Sequence, residues 1–166
     1  TFRYGSASER IPCAMYCAID VSKFNTANAK MMQYMFSSCS SLVSVDLSSF
    51  STENVINMEQ IFYGCSLLKS IDMSSFKTPN VTNVCNMFNM CYALTSLDLS
   101  NFDTSKVTNM NWTFSNLRSL KTLTLGENFA FYGTVHGLTG TWVNSAREEF
   151  DAKEIPGNVA DTYTKI

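Results

Sequence analysis

The sequence predicts an α/β fold: a solenoid of about five 26-residue coils, each one strand plus one helix. A parallel sheet forms one face, and a capping segment closes the C-terminal end. Three observations carry this. First, residue types recur every 26 positions in many columns at once, as in Cys13, Cys39, Cys65 and Cys91, or Phe24, Phe50, Phe76 and Phe102. Second, part of each repeat alternates, with Val45 and Leu47 between Ser44, Asp46 and Ser48, the period of a half-buried strand. Third, Val55, Met58, Ile61, Phe62 and Cys65 fall three and four residues apart, the period of an amphipathic helix. A single such coil cannot bury its apolar face, so neighbours must stack.

Residues 1–12 match no repeat column and are expected to cap the first coil or to be the remnant of a preceding one. The solenoid occupies residues 13–126. Its strand columns are Ile19, Val45, Ile71, Leu97 and Leu123, then Val21, Leu47, Met73, Leu99 and Leu125. Thr26, Thr52, Thr78 and Thr104 precede the helical stretches, where a hydroxyl can cap free N–H groups. Pro79 takes a first helical position and Gly64 a helix end. Helices wider than the strands opposite them imply curvature. The columns fail after Gly126, where Phe129 sits one residue out of step, and residues 127–166 read as a capping or linking segment. Because the chain starts at Thr1 rather than Met, processing or truncation is expected, and a removed signal peptide is compatible with it.

Composition narrows the function classes. The 166 residues carry 14 acidic and 12 basic side chains, a net charge of -2, with no basic block. Nucleic-acid affinity rests on phosphate neutralisation, so nucleic acid is not the expected partner. No apolar run reaches the roughly 18 residues of a membrane span. Ser, Thr and Asn number 52, but apolar columns run between them, which argues against disorder. His136 is the one histidine, and no phosphate loop or dinucleotide fingerprint occurs, so no enzyme activity and no cofactor are expected. Cys13, Cys17, Cys39, Cys65, Cys85 and Cys91 contain no C-x-x-C pair. They read as buried packing thiols rather than metal ligands, with pairing between adjacent coils open in an oxidising compartment. The Met and Phe columns read as core, the latter as two stacked spines. Tyr34, Tyr63, Tyr92 and Trp112 interrupt polar slots and are candidate anchors. The sequons at Asn80 and Asn111 follow from composition.

The segments CSSLVSVDLSSFSTENVINMEQIF, CSLLKSIDMSSFKTPNVTNVCNMF and CYALTSLDLSNFDTSKVTNMNWTF resemble the repeats of BspA-like leucine-rich-repeat surface proteins, the DUF285 type in particular. The resemblance spans about two thirds of the chain. It implies a leucine-rich-repeat fold and an extracellular or cell-surface location, with adhesion-like binding.

Asp20, Asp46, Asp72 and Asp98 fill the outward slot between buried strand residues. Ser44, Ser70 and Ser96 precede them, and Ser48, Ser74 and Ser100 follow. Strands in register bring such carboxylates about 4.8 Å apart, a spacing at which repulsion raises some pKa values. The row can satisfy itself locally, accept a hard cation or meet basic groups of a partner. No metal-loop spacing is present, so no resident metal is expected. The expected function is binding of a protein or glycan at a cell surface or matrix. The alternative is a structural scaffold or spacer that meets neighbouring subunits of an assembly.

Overall fold

The computed structural model describes residues 18–166. The expected N-terminal segment 1–12, Cys13, Tyr16 and Cys17 lie outside the described residues. Among the described residues, seven strands form two sheets. β1 (Ala18–Ile19) and β2 (Ser44–Val45) pair in parallel. A second sheet takes the order β3-β4-β7-β5-β6, from β3 (Ser96–Leu99), β4 (Thr122–Leu125), β5 (Thr141–Val143), β6 (Glu149–Asp151) and β7 (Asp161–Lys165).

The 26-residue step governs the backbone register. Ala18 pairs with Ser44, and Ser96 with Thr122. Between these pairs the chain keeps step without regular strands. The Lys69 N–H donates to the Val43 carbonyl, Thr95 to Lys69 and Lys121 to Thr95, at 3.3, 3.3 and 2.9 Å.

The strand-plus-helix solenoid is overturned, because no helix occurs among the described residues. The stretches with helical spacing are successions of turns, and their backbones explain why. Tyr34, Gln60, Asn86 and Trp112 have φ of 64°, 54°, 56° and 54°. Four residues later, Ser38, Gly64, Met90 and Asn116 have φ of 64°, 71°, 64° and 61°. Two left-handed residues per repeat are incompatible with a right-handed helix. They turn alternate N–H groups outward, towards the next repeat. The Met58, Gln60, Phe62 and Gly64 N–H groups donate to the carbonyls of Asn83, Cys85, Met87 and Asn89 at 2.8–3.0 Å. Equivalent bonds run from Met32, Tyr34, Phe36 and Ser38 to Asn57, Glu59, Ile61 and Tyr63. The backbone groups a helix would pair internally are therefore paired between repeats. With no helices, the curvature expected from helix bulk has no source. Gly64 marks a left-handed turn rather than a helix end, and Pro79 opens a turn rather than a helix.

The Thr column joins repeats instead of capping helices. The buried Thr78 hydroxyl donates to the Asp103 carbonyl at 2.9 Å and accepts the Asp103 N–H at 2.8 Å. Thr26, Thr52 and Thr104 do the same with Ser51, Lys77 and Ala130. One small side chain thus satisfies both backbone groups of a residue in the next repeat.

Two aromatic columns fill the interior. Phe36, Phe62, Phe88 and Phe114 stack with centroids 5.4, 6.0 and 6.3 Å apart. Phe50, Phe76 and Phe102 follow at 6.4 and 6.5 Å. Each pair adds about 0.5–1.5 kcal/mol beyond simple burial. The out-of-step Phe129 is buried and meets Phe114 edge-on at 6.4 Å.

Residues after 126 add antiparallel strands to the sheet. β7 lies against β4 with Leu123 opposite Tyr163, and β5 and β6 extend from it. Trp142 and Tyr163 are fully buried there. Gly126 is required by proximity: a Cβ would lie 2.0 Å from the Ser100 carbonyl oxygen.

Candidate functional site: an exposed Asp/Ser face

All ten residues singled out in the sequence are exposed: Asp20, Asp46, Asp72 and Asp98, with Ser44, Ser48, Ser70, Ser74, Ser96 and Ser100. The alternation that buries Val45 and Leu47, or Leu97 and Leu99, turns these side chains outward. The parallel register sets the rows. The Asp98 row continues into Thr124 and then Thr162, whose hydroxyls lie 3.0 Å apart.

Each carboxylate is anchored locally. Asp20, Asp46, Asp72 and Asp98 accept the N–H of Ser22, Ser48, Ser74 and Ser100, each at 2.9 Å. This side-chain turn fixes the carboxylate and closes the strand. It also corrects the expected direction of titration. The Ser22 hydroxyl and N–H hold Asp20 below the ordinary carboxylate value. The Ser48 N–H and hydroxyl do so for Asp46, against weaker repulsion from Asp72 and Asp20, and the Ser74 hydroxyl and N–H for Asp72. Hydrogen bonds to the charged form outweigh like-charge repulsion, because the carboxylates face water. The face is therefore anionic at neutral pH. Among the described residues, no group of three His, Cys, Asp or Glu is placed to hold a metal ion.

The other candidates separate by environment. Cys39 is disulfide-bonded, whereas Cys65, Cys85 and Cys91 are free and buried. The Cys65 and Cys91 thiols donate to the Phe36 and Phe62 carbonyls, both at 3.1 Å. Burial pushes the Cys65 thiol up to about 12 and raises Cys91 and Cys85 as well, so these thiols are poor nucleophiles. His136 is buried against Phe131, with ring centroids 4.6 Å apart, and its Nδ1 accepts the Leu138 N–H. Burial, then the Lys153 charge, lowers its pKa. Trp112 is 49% exposed, while Tyr34, Tyr63 and Tyr92 are half-buried. The Asn80 side chain is held by Glu53 and Lys106, and Asn111 is exposed.

Sequence reasoning missed a second polar column. Asn57, Asn83 and Asn109 accept the N–H two residues on, at 2.8, 3.0 and 3.2 Å, on the opposite side from the Asp row. The signal was present as Asn57, Asn83 and Asn109 at the 26-residue step, but the helical reading hid its purpose. Arg118 was also missed; its guanidinium lies 4.4 Å over the Tyr92 ring. A charge outside any column carries no periodic signal.

No helix of the described residues is long and apolar enough to cross a membrane. No curated protein and no solved structure matches the chain. The family described as "Mycoplasma protein of unknown function, DUF285" matches residues 13–72 and 42–128, well over half of the sequence. On that match, the chain belongs to the DUF285 family.

Proposed function

We propose that this chain is a non-enzymatic binding module of a cell surface or extracellular matrix, which engages a protein or glycan through its Asp/Ser face. The observation that carries the reading is the exposed, backbone-anchored row of Asp46, Asp72 and Asp98 between rows of serine. Held carboxylates at a repeating spacing meet a partner without losing side-chain freedom on binding. Their charge favours basic partners and salt-sensitive association. The likeness of the repeats to BspA-like surface proteins supports the location and the adhesive role.

A scaffold or spacer role is the second reading. Trp112 and Tyr132, 49% and 50% exposed, favour it as contacts within a larger assembly. A pull-down from matrix and cell-surface extract separates the two. The bait is the chain, beside a variant with Asp46, Asp72 and Asp98 all changed to Asn. A partner held by the parent and lost by the variant supports the binding face. Equal retention by both moves the contact elsewhere and overturns it.

A further inference from the structure

A second surface differs from the Asp/Ser face in both place and charge. Between the last repeat and the C-terminal strands lies a cleft of about 270 Å³. Its floor is apolar: Leu117, Leu120, Leu138 and Trp142 line it, and all four are buried. Asn116, Arg118, Thr139 and Lys165 also line it, and no carboxylate does. In a chain of net charge -2, two cations and no acid around one cleft is a marked local reversal.

Neither cation is neutralised internally. Among the described residues, the one ion pair joins Lys77 and Glu53, so Arg118 and Lys165 have no acidic partner. Both are positioned by aromatic rings instead. Arg118 Cζ lies 4.4 Å over Tyr92, and Lys165 Nζ lies 5.8 Å over Trp142. A ring contact of this kind leaves the outward N–H groups free. Asn116 spends its Nδ2 on Asn89 Oδ1 at 2.9 Å, which leaves its Oδ1 as an acceptor. The left-handed Gly137, φ 84°, brings the backbone close: a Cβ there would lie 2.0 Å from the Ser115 hydroxyl.

We infer that this cleft binds a carboxylate-bearing sugar ring. The volume lies just below the roughly 300–1,000 Å³ of drug-sized sites, which suits one ring rather than a chain. The small exposed edges of Leu117 and Leu138 at the base of the cleft meet C–H groups of the ring. Asn116 and Thr139 meet its hydroxyls. The Arg118 fork receives the carboxylate, and Lys165 adds a second positive charge to the same cleft. A neutral sugar leaves both cations unpaired, and a basic ligand is repelled.

The test is titration of the folded chain with glucuronate, glucose and benzoate, followed by side-chain NMR shifts at Trp142 and Leu138. Glucuronate is expected to bind and glucose to bind at least tenfold more weakly. Arg118→Gln and Lys165→Gln, both at positions on the rim, should each weaken glucuronate about tenfold with an unchanged melting temperature. The variant with Asp46, Asp72 and Asp98 changed to Asn should bind it normally, which separates this site from the Asp/Ser face. Absence of glucuronate binding, equal affinity for glucose, or indifference to both cation variants overturns the inference. Benzoate binding without glucuronate binding overturns the sugar assignment.

Discussion

Two sides of the repeat stack use the same local device for different ends. On the strand side, Asp46, Asp72 and Asp98 accept the N–H two residues on. On the turn side, Asn57, Asn83 and Asn109 do likewise. The Asp row is fully exposed, and the Asn row is half-buried against the next repeat. The turn needs only a side-chain oxygen, since neutral Asn supplies it as well as charged Asp. The charge of the strand-side row is therefore surplus to the fold. That surplus is the physical reason to look for a partner on that face.

Several substitutions break or sharpen the comparison. The largest effect is expected at the threonine that follows the strand side and ties it to the next repeat. Thr78→Val leaves the Asp103 N–H and carbonyl without their buried partner, at a cost of about 1–3 kcal/mol. Thr78→Ser should restore most of it, and chemical denaturation reads both. Next comes a charge placed on the wrong side. Asn83 Nδ2 donates to Glu59 Oε2 at 3.1 Å, so Asn83→Asp sets two carboxylates together and should cost about 1 kcal/mol.

A smaller effect carries the more decisive sign. Gln60 has φ 54°, so Gln60→Gly relieves left-handed strain and should stabilise the chain by about 0.5–1 kcal/mol. In a helix the same change would destabilise by a similar amount. Smallest of all is the Asp row itself. Asp46, Asp72 and Asp98 changed together to Asn should leave the melting temperature nearly unchanged, since Asn keeps the turn. The pH dependence follows the same logic. Folded pKa values of Asp20, Asp46 and Asp72 lie below the ordinary 3.8. Their contribution is fully present above that value and is lost as pH falls through the lower folded one. NMR titration of the carboxylates should show this, and values above 3.8 would contradict it.

The same contrast explains what the sequence revealed. Val45 and Leu47 alternate because a strand has only two faces, so outward Asp and Ser slots were legible from spacing alone. On the turn side, Met58, Ile61, Phe62 and Cys65 are also all buried, as their spacing implied. Apolar spacing records which side chains point inward; it does not record which carbonyl each N–H meets. Tyr34, Gln60, Asn86 and Trp112 share a left-handed backbone without sharing a residue type, so no column announced it. Only Gly64 in the companion position hinted at positive φ, and one glycine fits a helix end equally well. Arg118 and Lys165 were illegible for another reason. They lie far apart in sequence and line one cleft only because β7 folds back onto β4.

Far-UV circular dichroism of the folded chain tests the central claim, that both sides of the stack are held by hydrogen bonds between repeats. The account predicts a spectrum of strands and turns without the paired minima of α-helix, lost in one cooperative transition. A helical spectrum accounting for a third or more of the residues would contradict it.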